Sequence, residues 1–99
     1  MMARQALEGV FFDLAFLGVN GLSVGHGITI PSLEEAETAR EIISHAQRVV
    51  IVADHSKFET ITHGKIAELS RVSVVVTDEG LDGELREELA TVGLELLYA

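Results

Sequence analysis

The chain has 99 residues, a hydrophobic fraction of 47% and a formal net charge of −9. This length fits one domain or part of one, and the apolar fraction excludes a disordered chain. No apolar run approaches the roughly 20 residues that span a bilayer. The absence of cysteine excludes disulfides and thiolate metal sites. The basic residues are scattered, which argues against DNA binding by this chain alone.

The first third of the chain predicts a helix, a strand and a loop. Residues 2–8 favour a short helix, and their charges and lack of an apolar core argue against a secretory signal. We therefore expect a cytoplasmic protein. Residues 14–19 form a near-continuous apolar run, typical of a strand covered on both faces. Residues 20–31 contain the turn signal Asn20-Gly21 and further glycines, and are predicted to be a loop.

A helix is predicted next, followed by two further strands. Ser32 and Glu35 have the spacing of a capping box, and apolar residues then recur at helical intervals to residue 46. Residues 49–53 predict the second strand. Residues 54–71 are mixed, with a short helix expected over residues 65–69. The third strand is predicted at residues 72–77, which are rich in β-branched side chains.

The last part of the chain predicts a helix and a strand. Asp82 is expected to cap a helix that ends near Val92, and to pair with Arg86. Gly93 suits the left-handed position after a helix, and residues 94–98 predict the final strand. This alternation predicts an α/β fold with a mainly parallel sheet and flanking helices. Its apolar edge strands require cover from further sequence or another subunit.

Polar side chains follow three of the predicted strands. They are Asn20 and Gly21 after the first, Asp54 and Lys57 after the second, and Asp78 after the third. Parallel strands bring such exits to one edge of the sheet, where open α/β sheets bind ligands. An ammonium and glycine N–H groups suit an anion, and carboxylates accept hydrogen bonds from hydroxyls, so we expect a sugar phosphate. The same residues also suit turn caps, turn glycines and a solvated lysine.

Other kinds of site find little support. The four histidines lack the i, i+4 spacing of a helical zinc site; they are His26, His45, His55 and His63. Adjacent acid, histidine and serine side chains at residues 54–56 cannot easily form a catalytic triad, and no glycine pattern matches a dinucleotide or P-loop motif. We expect no catalytic residue, metal or cofactor.

Four segments, in order, resemble motifs of DeoR-type transcriptional regulators. Residues 12–21 (FDLAFLGVNG) resemble the segment D-x-A-F-(L/I)-G-x-x-G, and residues 35–40 (EAETAR) resemble the helix E-A-x-x-x-R. Residues 53–58 (ADHSKF) are similar to D-x-(S/T)-K-(F/W), and residues 75–78 (VVTD) resemble a strand end (I/V)-(I/V)-T-D. Each motif is weak alone, but the series is specific.

The resemblance implies that residues 1–99 are the C-terminal half of a DeoR-type effector-sensing domain, similar in fold to ribose-5-phosphate isomerase and coenzyme A transferases. It implies a phosphorylated sugar or related metabolite as effector, and homo-oligomers. It also implies that DNA is bound only through an N-terminal winged helix-turn-helix, which this sequence does not contain. By the same resemblance, five residues fall in or beside the effector pocket: Asp13, Asn20, Gly21, Asp54 and Lys57.

Three alternatives stay open at the level of sequence. The chain could belong to a sugar-phosphate isomerase, with Asp54, Asp78 or Glu79 as the base. It could be an assembly module whose exposed sheet edge pairs with a second copy. It could also be an α/β domain without a ligand.

Overall fold

The computed structural model describes residues 7–99. Between Phe12 and Ala99 it contains seven strands and two α-helices. The strands are β1 (Phe12–Gly18), β2 (Gly21–Ser23), β3 (Gly27–Ile30), β4 (Ala46–Val52), β5 (Gly64–Ala67), β6 (Val74–Thr77) and β7 (Glu95–Tyr98). The helices are α1 (Leu33–Ser44) and α2 (Gly83–Val92). The helix predicted at residues 2–8 lies almost entirely outside the described residues.

Strands β1, β4, β6 and β7 form a parallel sheet in the order β1-β4-β6-β7. Helix α1 lies between β1 and β4 in sequence, and α2 lies between β6 and β7. The predicted α/β class, with a mainly parallel sheet and flanking helices, is therefore confirmed. Apolar β-branched residues fill the central strands, as expected where both faces of a strand are removed from water.

A second sheet, antiparallel and in the order β2-β3-β5, contradicts two predictions. Residues 20–31 are not a loop but contain the hairpin of β2 and β3, and residues 65–69 are not a helix but overlap β5. These strands have three or four residues each, too few to show a clear alternation in the sequence. Burial stabilises them, since Leu22, Ile28 and Ile66 are each less than 5% exposed.

Ser32 caps helix α1 as predicted, and its hydroxyl accepts a hydrogen bond from the Glu35 N–H at 3.1 Å. Ala36, Ala39 and Ile43 face the core. At the other end, the Arg71 guanidinium donates to the Ile43 carbonyl at 2.6 Å, so a side chain satisfies one of the helix's free terminal carbonyls.

Helix α2 follows Asp82, which occupies the predicted cap position without forming a side-chain cap hydrogen bond. The predicted pair of Asp82 and Arg86 is wrong. The Arg86 guanidinium instead donates to the carbonyls of Leu81 at 2.9 Å and Glu79 at 2.8 Å, and lies 4.4 Å from the Tyr98 ring centroid. Backbone carbonyls and an aromatic face hold it more firmly than one exposed carboxylate would. Gly93 ends the helix at φ 95°, as predicted.

One hydrophobic core lies between the parallel sheet, the two helices and the small sheet. Val49, Ile51 and Val75 contribute side chains with no exposed area, and Ile43 and Leu89 pack in the same cluster from the helices. Within residues 7–99, no helix is long and apolar enough to cross a bilayer.

Candidate functional site

The carboxyl ends of β1, β4 and β6 lie side by side, as the sequence predicts. Gly18 is in register with Val52, and Val52 with Val76. The ladder continues past the strands, because the Val19 N–H donates to the Val52 carbonyl at 3.4 Å and the Ala53 N–H to the Val76 carbonyl at 3.1 Å. Adjacent strands are about 4.8 Å apart. The loops that follow the three strands therefore share one edge of the sheet.

Asp54 organises the loop after β4. Its carboxylate accepts hydrogen bonds from the Ser56 N–H at 2.8 Å and from the Ser56 hydroxyl, and it caps a 3-10 turn over His55–Lys57. The turn is closed by the Lys57 N–H, which donates to the Asp54 carbonyl at 3.0 Å. This local geometry fixes where the Lys57 side chain leaves the backbone.

Asp78 links the loop after β6 to the loop after β4. Its carboxylate accepts hydrogen bonds from the His55 N–H at 3.1 Å and from the Gly80 N–H at 2.8 Å, and lies 2.8 Å from His55 Nδ1. A Cβ at position 80 would lie 2.6 Å from His55 Nδ1, so a side chain there would require the ring to move. Asp78 thus holds the two loops together.

These hydrogen bonds favour the charged form of both aspartates. The Ser56 hydroxyl and backbone N–H lower the pKa of Asp54, and the nearby Lys57 ammonium adds to the effect. The backbone N–H groups of His55 and Gly80, followed by the His55 ring, lower the pKa of Asp78. Both carboxyl groups at this edge are therefore ionised at neutral pH.

Lys57 is half-buried and lies close enough to Asp54 to affect its pKa. Among residues 7–99, its ammonium forms no hydrogen bond and no ion pair within 4.0 Å. The other lysine, Lys65, differs, because its ammonium pairs with Glu68. Lys57 is thus a cation at the sheet edge that is available to a ligand.

Asn20 lies at the same edge, directly after β1, and its side chain is exposed. Its N–H donates to the Thr29 carbonyl at 3.1 Å, which starts the hairpin. Gly21 follows it but is buried in β2, and a Cβ there would lie 2.4 Å from the Thr60 carbonyl oxygen and from Thr29 Oγ1. Gly21 therefore has a packing role, because the absence of a side chain lets β2 lie close to Thr29 and Thr60.

Asp13 lies at the opposite edge of the sheet. It is the second residue of β1, five residues before the end of that strand. At about 3.3 Å per residue, this places it roughly 16 Å from the loops that carry Asp54 and Asp78. It borders a separate hollow with Phe11 and His45. The structure thus brings Asn20, Asp54 and Asp78 to one edge and leaves Asp13 apart.

His55 and Gly80 belong to the edge, although the sequence analysis did not assign them to a site. The possible metal-ligand atoms of Asp54, His55 and Asp78 lie within 4.8 Å of one another, a spacing compatible with a metal ion. Each carboxylate is, however, already engaged by donors of its own loops. His55 directly follows Asp54 in sequence, and that adjacency was the signal for its place at the edge.

A hollow of about 180 Å³ opens at this edge, lined by residues 52–54 and 76–78 and by Ala99. A larger groove of about 500 Å³ lies beside the end of β1, between Leu17, Ile30 and helix α1. The edge thus offers a small, mostly apolar recess whose lining includes Asp54 and Asp78, and the larger groove is lined by both polar and apolar residues. Such a combination can hold a small polar molecule by hydrogen bonds to its hydroxyls.

Comparison with known proteins identifies the family. The model of the DeoR C-terminal sensor domain matches residues 1–79 of the chain. This chain belongs to the DeoR C-terminal sensor domain family. The match contains all four motifs on which the resemblance was based, so that resemblance is confirmed.

Curated relatives of the chain are transcriptional regulators by name. The chain is similar to the HTH-type transcriptional regulator GlpR of Haloferax volcanii, with 36% identity over 95 residues. It is similar to the HTH-type transcriptional repressor GlcR of Bacillus subtilis, with 34% identity over 93 residues. It is also similar to the deoxyribose operon repressor of Escherichia coli, with 33% identity over 95 residues.

These alignments cover the chain almost completely but only part of each relative. They include 96%, 94% and 96% of this chain, and 37%, 36% and 38% of the GlpR, GlcR and deoxyribose repressor sequences. The chain thus spans a little over a third of the length of the curated relatives it matches.

Proposed function

We propose that this chain is the effector-sensing part of a transcriptional regulator and that it binds a phosphorylated sugar or related metabolite. The observation that carries the proposal is the convergence of three strand exits, with Asn20, Asp54, Lys57 and Asp78 at one edge. Carboxylates and amides suit sugar hydroxyls, and an ammonium suits a phosphate. The name of the deoxyribose operon repressor, which refers to a sugar, supports this ligand class.

Lys57 is proposed to contact the phosphate. It is half-buried, it begins in a capped turn, and its ammonium has no ion pair among the described residues. An ammonium that is partly shielded from water gains more from an anion than a fully solvated one, because the local dielectric is lower. Asp54 and Asp78 are proposed to accept hydrogen bonds from the sugar hydroxyls with their remaining lone pairs.

The proposed role is binding and not catalysis. An aldose-ketose isomerase needs a carboxylate base, which works best when its pKa lies near the operating pH. The hydrogen bonds at the edge lower the pKa of Asp54 and Asp78, in the opposite direction. Glu79, the third carboxylate considered, lies 3.7 Å from the Arg86 guanidinium. None of the three has the surroundings of a base.

DNA binding is proposed to reside in another domain. The chain carries a net charge of −9, whereas DNA-binding surfaces are basic. The names of GlpR and GlcR contain the term HTH, and this chain spans a little over a third of those proteins. An effector that binds one arrangement of a regulator more tightly than another changes its affinity for DNA by linkage.

A calorimetric titration of the chain with matched ligands tests the proposal. The panel is ribose 5-phosphate, 2-deoxyribose 5-phosphate, glucose 6-phosphate, glycerol 3-phosphate, the same compounds without phosphate, and inorganic phosphate. We expect at least one phosphorylated compound to bind more than about tenfold tighter than its unphosphorylated form, a difference of about 1.4 kcal/mol.

The two lysines provide a matched pair of variants. Lys57→Gln should weaken binding of that compound at least about tenfold, whereas Lys65→Gln should change it less than about twofold. The proposal is wrong if a chain that is folded by circular dichroism binds no member of the panel. It is equally wrong if Lys57→Gln and Lys65→Gln bind alike.

A further inference from the structure

Two buried side-chain oxygens within residues 7–99 have no hydrogen-bond partner, and both are hydroxyls, those of Thr62 and Thr77. A buried hydroxyl without a partner has lost its hydrogen bonds to water and gained none in exchange, which lowers the stability of the folded chain. Most buried polar groups in proteins are paired, so an unpaired one requires an explanation, such as a water molecule or a ligand that supplies the partner.

The two threonines lie in different parts of the fold. Thr77 is the last residue of β6, is 4% exposed, and lines the hollow of about 180 Å³ at the carboxyl edge together with Asp54 and Asp78. Thr62 lies against the small sheet, where its N–H donates to Thr29 Oγ1 at 3.0 Å, and it does not line that hollow. Of the two unpaired hydroxyls in the described part of the chain, only that of Thr77 therefore belongs to the candidate site.

The lining of this hollow indicates which part of a ligand it suits. Besides Thr77, its polar side chains are the carboxylates of Asp54 and Asp78, and no lysine, arginine or histidine lines it. Ionised carboxylates repel a phosphate but accept hydrogen bonds from hydroxyls. Lys57 lies outside this lining. The hollow thus suits the hydroxyl-bearing end of a sugar phosphate, with the phosphate outside it and available to Lys57.

We propose that Thr77 is a further ligand-binding residue, whose hydroxyl forms a hydrogen bond with a hydroxyl of the bound sugar. This inference rests on the proposed function, and it assigns the sugar end of the ligand to the hollow. The Thr77 oxygen is covered by protein atoms, so the contact forms by a rotation about the Cα–Cβ bond, which requires no movement of the backbone. The ligand then supplies the partner that the chain itself does not.

Such a contact contributes to specificity as well as to affinity. A solvated hydroxyl must give up a hydrogen bond to water before it binds a ligand, and this loss offsets most of the gain. The Thr77 hydroxyl has no such bond to give up, so the ligand gains more from it. A compound without a hydroxyl at the contacted position gains nothing from Thr77 and binds more weakly.

Thr77→Val tests the proposal in the whole chain, because valine has nearly the shape of threonine and a methyl in place of the hydroxyl. Without ligand, the variant should have an unchanged or higher melting temperature, since the lost oxygen has no partner. The probes are ribose 5-phosphate, 2-deoxyribose 5-phosphate, glucose 6-phosphate and glycerol 3-phosphate. For the compound that binds the wild-type chain most tightly, Thr77→Val should raise the dissociation constant at least about fivefold.

Two further variants separate binding from folding. Thr62→Val removes the other unpaired hydroxyl, and should also leave the melting temperature unchanged or higher while changing the dissociation constant less than about twofold. Thr77→Ser keeps the hydroxyl and loses a buried methyl, so it should lower the melting temperature but keep the dissociation constant within about threefold of wild type. The less stable variant at position 77 should thus be the better binder, which a purely structural role of Thr77 would not produce.

Three results would overturn the inference while the proposed function stands. The first is a Thr77→Val variant that binds as tightly as wild type, which is expected if a water molecule satisfies the hydroxyl. The second is an equal loss of binding in Thr62→Val. The third is a melting temperature more than about 4 °C lower in Thr77→Val, because the hydroxyl would then have a partner within the chain. If the wild-type chain binds no compound of the panel, the proposed function fails as well.

Discussion

Replacing Gly21 by alanine should destabilise the folded chain even in the absence of any ligand. The backbone at this position carries no positive φ, so alanine is not excluded by its conformation. The obstacle is space. A Cβ would lie 2.4 Å from the Thr60 carbonyl oxygen and 2.4 Å from Thr29 Oγ1, where ordinary contacts are 3.4 Å or longer. About 1 Å of movement is therefore required on each side.

The magnitude follows from what must move. The Thr60 oxygen belongs to the backbone, and Thr29 is 2% exposed and accepts a hydrogen bond from the Thr62 N–H at 3.0 Å. Overpacking typically costs about 1–3 kcal/mol, and loss of that hydrogen bond about 1 kcal/mol more. We expect a loss of about 2–4 kcal/mol. In a domain of this size each kcal/mol lowers the melting temperature by about 4–8 °C.

Gly25→Ala provides the matched control. Gly25 lies in the same hairpin, its φ is not in the left-handed region, and a Cβ there meets no atom within 4 Å. Its replacement should leave stability unchanged or raise it by about 0.5 kcal/mol, through the unfolded state. Urea unfolding, followed by circular dichroism at one protein concentration, measures both variants. If Gly21→Ala lies within about 0.5 kcal/mol of Gly25→Ala, the packing argument fails.

Two further predictions concern the core and the carboxyl edge. Ile43→Asp should lower the free energy of unfolding in urea by several kcal/mol, because this side chain of α1 is only 3% exposed. Leu33→Asp in the same helix should be nearly neutral, because Leu33 is 68% exposed. If both variants lose the same stability, the orientation assigned to α1 is wrong. The pKa values of Asp54 and Asp78 are lower in the folded chain than in the unfolded chain, where the pKa of an aspartate is about 3.9. The two carboxylates therefore stabilise the fold at pH values above the unfolded pKa, and this stabilisation is lost as the pH falls through the lower folded pKa values. The free energy of unfolding should therefore decline below about pH 4, and Asp78→Asn should reduce that decline; an unchanged pH profile would contradict the hydrogen bonds assigned to Asp78.

The parallel sheet could be predicted because its signals are long and repeated. Residues 49–53 and 72–77 are apolar runs with β-branched side chains, and Ser32 marks a helix start between strands. The small sheet could not, because its strands have three or four residues. Gly21 and Gly27 were interpreted as turn residues. In the structure they allow close backbone approach, since a Cβ at position 27 would lie 2.0 Å from the Ala67 carbonyl oxygen.

The candidate site, like the fold, could be predicted from the sequence only in part. The meeting of the loops that carry Asp54 and Asp78 follows from parallel topology alone, so a sequence that predicts the strand order also predicts this contact. The hydrogen bonds that join the loops do not follow from topology. They depend on the ring of His55 fitting over Gly80, a contact between residues 25 positions apart. No local pattern in the sequence reports such a contact.

Sugar-phosphate binding at this edge would depend on short-range contacts. A phosphate that approaches a chain of net charge −9 is repelled at long range, so the overall field does not attract it. Exposed charges further away than about 8 Å are largely screened at physiological salt. A cation must therefore lie within contact distance of the phosphate to offset the two aspartates of the edge. Lys57 can do so because it begins in the turn that Asp54 caps, whereas Lys65 already pairs with Glu68. A general loss of positive charge would affect the two lysine variants equally. A local contact affects only Lys57→Gln, which is why the comparison of the two variants decides between the two explanations.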